Sequence, residues 1–389
     1  NAGDVNGDGF DDIIVGAYMA DNNSFTNSGS SYVVFGKPSG FSNINLSTLD
    51  GTTGFRLDGA LAGDNSGISV SAAGDVNGDG FDDLVIGAQG ADPNGSSSGS
   101  SYVVFGKADF SATSNINLSG LDGTTGFRLD GAALSDQSGG SVSGAGDVNG
   151  DGFDDLIIGA WGADPNSNDS GSSYVVFGGD FNGAVTYLGT SGADTLSGAS
   201  AAEAFVGGQG ADTITGGDGA DILTGGAGAD TFRYTLSTDG AAANSVIGFD
   251  KIMDFAGGGD KFALAGTLAT AIDDDGNGAL SWITDSGSAS VTADFSSGTE
   301  ALLLTSANNL TISDLLTSGW SNVLTAINAN AIIAGNGDDG LIAVQGGNDT
   351  AVFYYKENGT TADDVSASEL SLLAVTDDTY LSTADFSIV

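Results

Sequence analysis

The chain has 389 residues, 65 of them glycine and 3 proline, and a formal net charge of −43 from 51 acidic and only 8 basic side chains. That balance excludes nucleic acid as a partner, because phosphate contacts need clustered cations, and it disfavours anionic membrane surfaces. Cysteine and histidine are both absent, so disulfides, thiolate zinc sites, Cys nucleophiles, HExxH centres and Ser-His-Asp triads cannot be built from these residues.

Hydrophobic residues make up 40% of the chain, enough to bury a core despite the charge. No apolar run reaches the roughly 18 residues of a membrane-spanning helix, so membrane insertion is not expected. Only four of the 51 acids are Glu (Glu203, Glu300, Glu357, Glu369), which leaves 47 Asp. Asp is the short carboxylate of turns and of tight oxygen cages for hard cations. No signal peptide is visible, and Asn1 falls inside a repeat, so chain is expected upstream of it.

Residues 1–179 repeat every 70–72 residues. Three acidic loops share the same nine residues, Asp-Val-Asn-Gly-Asp-Gly-Phe-Asp-Asp, at 4–12, 75–83 and 147–155. Each is followed by an apolar run ending in Gly-Ala (Ile13–Ala17, Leu84–Ala88, Leu156–Ala160) and then by Gly-Ser-Ser-Tyr-Val-Val-Phe-Gly. A further block, Asn43–Ala60, recurs as Asn115–Ala132. Short β-branched and aromatic runs between Gly/Asn/Asp/Ser turns predict strands, about four per repeat.

The loop places oxygens at positions 1, 3, 5 and 9, with a backbone carbonyl at 7 and a glycine at 6 for the sharp turn. The expected ligands are Asp4, Asn6, Asp8, Phe10 and Asp12, then Asp75, Asn77, Asp79, Phe81 and Asp83, then Asp147, Asn149, Asp151, Phe153 and Asp155. Five protein oxygens plus water suit the six to eight ligands of Ca²⁺, whereas Mg²⁺ demands a stricter octahedron. The loops followed by Ile-Ile-Val-Gly-Ala and Val-Val-Phe-Gly resemble the FG-GAP repeats of integrin-α-type β-propellers. That resemblance implies calcium loops joining strands within blades. Such propellers close with more blades than the two complete periods and one partial period here, so closure within the chain is in doubt.

From 189 the period changes to nine, in units Gly189–Ser197, Gly198–Val206, Gly207–Thr215, Gly216–Thr224 and Gly225–Arg233. The apolar position recurs at Leu196, Phe205, Ile214, Leu223 and Phe232, and the last three units fit G-G-x-G-x-D-x-U-x. A flexible glycine linker would have no such inward-facing position. The units resemble RTX (hemolysin-type) repeats, which implies a parallel β-roll with calcium bridged between turns by Asp212, Asp221 and Asp230, and by Asp194 as a fourth. The second unit departs from the pattern, with Glu203 where Asp is expected.

Beyond 235 the repeats fade into short apolar strands. Ile252–Phe255 and Gly259–Leu264 resemble the segment that closes RTX rolls, with Asp254 and Asp260 completing the last site. Asp273–Gly278 reads equally as an ion site or a plain acidic loop, and Leu310–Ala331 as an ambiguous helix. Gly335–Asp339 and Gly346–Asp349 echo the nonapeptide out of register. The ending Asp385-Phe-Ser-Ile-Val389 resembles the terminus of type I secretion substrates, implying uncleaved export and a genuine C-terminus.

The expected fold class is all-β: propeller-like blades over 1–179, a parallel β-roll over 180–235, and a β-rich C-terminal domain over 236–389. The expected function is a secreted, calcium-binding structural or adhesive protein of a bacterial cell surface or extracellular matrix, not an enzyme. Its partners would be several Ca²⁺ ions, the type I secretion machinery, and either further copies of itself or an extracellular surface ligand. The Ser/Asn-rich inserts 21–28, 92–98 and 164–170 read as contact loops or as plain solvated loops. The alternative reading is the C-terminal portion of a type I-secreted RTX hydrolase whose catalytic domain lies upstream.

Overall fold

The computed structural model describes residues 1–235 apart from 23 and 38–42, then 249–256, 259–265, 268, 282–285, 291–294, 301–304, 331–334, 339–346, 349–356, 370–376, 384 and 386–388. The chain is essentially all-β and divides into two compact units, residues 1–149 with 153–184, and 185–389 with 150–152. The acidic loop at 273–278, the stretch 310–330 and residues 335–338 lie outside the described residues.

In the first unit each repeat folds into an antiparallel blade. The second blade is the most complete, with strands Ser69–Gly74, Asp83–Ala88, Ser100–Val104 and Gly126–Asp130 in that spatial order. The alternation Leu-Val-Ile and Tyr-Val-Val pairs Leu84 with Val104 and Ile86 with Tyr102 on one face, and Val85 with Val103 on the other. The first blade holds Ile13–Ala17, Ser30–Val34 and Gly54–Asp58; the third holds Ser138–Gly146, Asp155–Ala160 and Ser172–Val176. The recurring Asn-Ile-Asn block does not stay with its own repeat. Asn115–Asn117 adds a parallel strand to the first blade, setting Arg56 opposite Asn115 and Asp58 opposite Asn117.

Because both faces of each blade are apolar, blades bury one another. Ile14, Val33, Phe35 and Phe55 pack with Leu84, Ile86 and Val104 in one core. Val85, Val103 and Phe105 pack with Leu156 and Ile158 in the next. Phe110 stacks on Phe55 at 4.4 Å between centroids.

In the second unit two nonapeptides make one coil, and successive coils add one parallel strand to each of two sheets. One sheet runs through Tyr187–Leu188, Ala204–Gln209, Ile222–Ala227 and Asp250–Ile252; the other through Thr195–Ser197, Thr213–Thr215, Thr231–Tyr234 and Lys261–Leu264. The apolar residue of every unit falls in register, Phe205 beside Leu223 and Leu196 beside Ile214 beside Phe232. Both sheets run on past the nonapeptides. Leu370–Thr376 pairs with Asp250–Ile252, and Phe386–Ile388 pairs in parallel with Phe262–Leu264. The terminal Phe386 rests against Phe262, 5.3 Å between centroids.

Phe205 is fully buried and stacks on Tyr187 at 4.6 Å. Phe205→Ala should cost about 3–5 kcal/mol by leaving a cavity. Leu188→Ala, at an exposed position, should stay within about 0.5 kcal/mol. Urea melts of the calcium-loaded protein measure both, and equal costs would contradict this packing.

Candidate calcium centres

In the first blade loop, Asp4 accepts amides from Asp8 (3.0 Å) and Gly9 (2.8 Å), and Asp8 accepts the amide of Phe10 (3.0 Å) and the side-chain amide of Asn6 (3.0 Å). Asp12 is buried and accepts amides from Val5 at 3.1 Å and Gly36 at 2.8 Å. It thereby ties the loop's start to the end of the Tyr-Val-Val-Phe-Gly strand. The second loop repeats this: Asp75 takes Asp79 and Gly80, Asp79 takes Phe81 and Asn77, and Asp83 takes Val76 and Gly106. In the third, Asp155 takes Val148 and Gly178, both at 2.9 Å, and Asp147, Asn149, Asp151 and Phe153 hold the matching loop positions.

The eighth loop residue, which the spacing argument left out, links the loops in series. Asp82 accepts the amide of Asp4 at 2.7 Å, and Asp154 accepts that of Asp75 at 3.0 Å. The preceding residue must be glycine: Gly74 has a φ of 75°, and a β-carbon there would strike the Asp154 carboxylate. The signal for this role was an identical acid at position 8 in all three loops.

In the roll, the unit acids form two ladders with an 18-residue step that lengthens to 30 and 29 residues at the last rung of each. One oxygen of each acid accepts the amide of the acid one coil earlier: Asp194 to Asp212 at 2.7 Å, Asp212 to Asp230 at 2.8 Å, Asp230 to Asp260 at 2.8 Å. On the other side the amide of Glu203 reaches Asp221 at 2.9 Å, and that of Asp221 reaches Asp250 at 3.1 Å. Glu203 therefore keeps its place in the ladder. Asp250 escaped the sequence reading because an insertion breaks the period of nine before it. Asp254 stands apart from the ladders, its two oxygens taking the adjacent amides of Gly225 (2.8 Å) and Gly226 (2.6 Å).

Several of these acids are held out of water: Asp12, Asp83, Asp155, Asp212, Asp230, Asp250 and Asp260 are buried. Burial pushes Asp12 and Asp75 up to about 7, and Asp83 well above the usual carboxylate range, with the loop's other acids adding repulsion. Burial likewise lifts Asp230 to about 6, helped by Asp260 and Asp212, and Asp254 to about 7. Asp50 and Asp122 show the contrast: Thr hydroxyls and amides hold these exposed turn acids at about 2.

Among the described residues no three acidic side chains converge into one ready-made metal shell, since the amides above claim most carboxylate oxygens. The fit to calcium rests on what is left over. Oδ2 of Asp212 and of Asp230 is buried with no hydrogen-bond partner, a costly state unless a cation meets it. At the ladder ends, by contrast, Oδ2 of Asp194 takes the Thr190 amide and Oδ2 of Asp260 takes the Ala256 amide, both at 2.7 Å. The unpartnered oxygens face glycines. A β-carbon on Gly207 would lie 2.6 Å from Asp212 Oδ2 and 2.5 Å from the Gly225 carbonyl oxygen. The space beside these acids is thus lined by carboxylate and carbonyl oxygen, the donor set of a hard cation. Asp212 and Asp230, with glycine carbonyls, would hold calcium there.

Asp230→Asn should lower the calcium bound and shrink the calcium-induced rise in Tm, while the exposed Asp218→Asn should change neither. Equilibrium dialysis with thermal melts distinguishes them. Asp82→Ala removes an interloop bond and should cost about 1–3 kcal/mol, read as a lower Tm of the calcium-loaded protein relative to Asp11→Ala, whose exposed carboxylate takes the Asn1 side-chain amide in a 3.3 Å bond.

Residues 1–34, 66–104 and 138–176 match the FG-GAP repeat, and 186–210 and 197–232 match the RTX calcium-binding nonapeptide repeat. The chain is similar to integrin alpha pat-2 of Caenorhabditis briggsae, 35% identical over 170 residues, and to that of Caenorhabditis elegans, 32% over 167 residues. Each match takes in 41% of this chain, which spans only 12% of the relatives' length. The chain therefore carries FG-GAP repeats followed by RTX calcium-binding repeats, the marks of a calcium-binding extracellular protein.

Proposed function

We propose that the protein is a structural or adhesive scaffold of a bacterial cell surface or extracellular matrix, exported by type I secretion and folded by calcium once outside. The observation that carries this is the pair of buried Oδ2 atoms of Asp212 and Asp230, which no hydrogen-bond donor among the described residues reaches. Calcium, when bound, supplies the positive charge that these cages lack. The ligands in the blades would be Asp4, Asn6, Asp8, the Phe10 carbonyl and Asp12, with their counterparts in the two later loops.

The chain's own residues do the rest. Their amides orient each carboxylate, and the blade and coil registers stack the cages in rows. At low calcium the charge of −43 repels itself and keeps the chain open for export. At the millimolar calcium outside cells, sites of extracellular strength fill, and binding to the native state alone drives folding. The likeness to integrin alpha chains supports the adhesive part of this reading. The lack of His and Cys supports a role without catalysis.

Circular dichroism and melting with calcium and after EGTA test the proposal. The expected result is loss of the β spectrum and of the cooperative melt in EGTA, both restored by millimolar calcium. An unchanged spectrum and unchanged Tm after chelation would sink it.

A further inference from the structure

Six acids of the roll can be compared by the residue four positions earlier. Before Asp194, Glu203 and Asp260 it is Thr190, Ala199 and Ala256; before Asp212, Asp221 and Asp230 it is Gly208, Gly217 and Gly226. The first three cap their own acids. Thr190 donates its amide to Asp194 Oδ2 at 2.7 Å, Ala199 to Glu203 Oε2 at 2.8 Å, and Ala256 to Asp260 Oδ2 at 2.7 Å. The Thr190 hydroxyl adds a second bond to the same oxygen at 2.8 Å.

The glycines are turned differently. Their φ values are 97°, 97° and 85°, whereas Thr190, Ala199 and Ala256 stay out of the left-handed region. Only glycine enters that region freely. It also packs closely there: a β-carbon on Gly208 would lie 2.5 Å from the Thr190 carbonyl oxygen, and one on Gly226 would strike the Gly208 carbonyl. The Gly226 amide goes to Asp254 at 2.6 Å, away from Asp230. Oδ2 of Asp212 and of Asp230 stays buried with no hydrogen-bond partner. The walls of capped and uncapped turns are otherwise alike. A β-carbon on Gly189 would strike the Gly207 carbonyl and lie 3.2 Å from Asp194 Oδ2, just as one on Gly207 would meet the Gly225 carbonyl and Asp212 Oδ2.

We propose that the residue four positions before each acid selects which turns of the roll take calcium. This rests on the calcium reading above and sharpens it. An N–H aimed at the carboxylate oxygen takes up its lone pair and sets a positive hydrogen where the ion would sit. A left-handed glycine withdraws that donor and leaves the oxygen to a hard cation. Calcium therefore binds at Asp212 and Asp230, while Asp194, Glu203 and Asp260 are closed by the chain's own amides. Spacing alone groups Asp194 and Asp260 with the ligands; the backbone conformation separates them. The roll is tied by calcium in its interior and by its own backbone at its first coil and closing turn.

The test measures calcium bound by the full chain in equilibrium dialysis, with circular dichroism to show that each variant is folded. Asp194→Asn should bind as much calcium as the wild type. Thr190→Gly, at an exposed position, opens the closed turn and should bind about one further ion. Thr190→Ala loses the hydroxyl bond but keeps a β-carbon, and should stay at the wild-type level. Adding Asp194→Asn to Thr190→Gly should remove the gain. Less calcium on folded Asp194→Asn, no gain in Thr190→Gly, or an equal gain in Thr190→Ala would overturn the selector. Should Thr190→Gly not fold, Asp194→Asn decides alone. The two readings fail apart: a wild type that binds no calcium removes the calcium scaffold itself, whereas a wild type that binds calcium, with Thr190→Gly binding no more, removes only the selector.

Discussion

The architecture depends on one repeated interaction, an aspartate, half-buried in the blades and buried in the roll, that accepts a backbone amide from the neighbouring repeat. In the blades it runs from Asp4 to Asp82 and from Asp75 to Asp154. In the roll it runs from Asp194 through Asp212 and Asp230 to Asp260. A carboxylate is the strongest acceptor that a side chain offers, and charge-assisted bonds to amides are short and directional. The same bond places a negative charge at every repeat. A chain held together in this way accumulates charge as it folds, and only cations can offset it.

Packing and charge therefore follow the same period. From the second nonapeptide on the inward apolar residue buries fully in the roll, Leu196 of the first being partly buried, while the acid two residues before it joins a ladder. Phe232, for example, lies in the core next to Phe255 and Phe262, and Asp230 lies in the ladder. In the blades the strand after each acidic loop is buried on both faces when a blade lies on either side. Each loop's last acid is held by amides from both ends of its own blade. Hydrophobic burial supplies the attraction between repeats. The carboxylates set its register, and the burial that helps the apolar residues penalises the bare acids, as the raised positions of Asp12, Asp75 and Asp83 show.

Three of the described cations are engaged away from the loop acids. Arg56 is committed to Asp58 at 2.8 Å and Arg128 to Asp130 at 2.7 Å within their own strands, and Lys107 lies over the Phe110 ring at 4.8 Å. None of these reaches a loop acid.

The sequence by itself determined the strand runs, the periods of about seventy and of nine, the inward apolar positions, and the calcium chemistry of the loops. All of these are local, set by side-chain alternation and by which oxygens a short turn can gather. Only the tertiary structure decided which acids act between repeats. Asp82 and Asp154 looked like spare residues because their partners lie 78 and 79 positions away. Asp250 was hidden by an insertion that the sheet pairing bridges. Asp254 spans the Gly225 and Gly226 amides, an alignment that the folded coil creates. The Asn115–Asn117 strand joined the preceding blade rather than its own, since a parallel pairing across repeats leaves no trace in a local pattern.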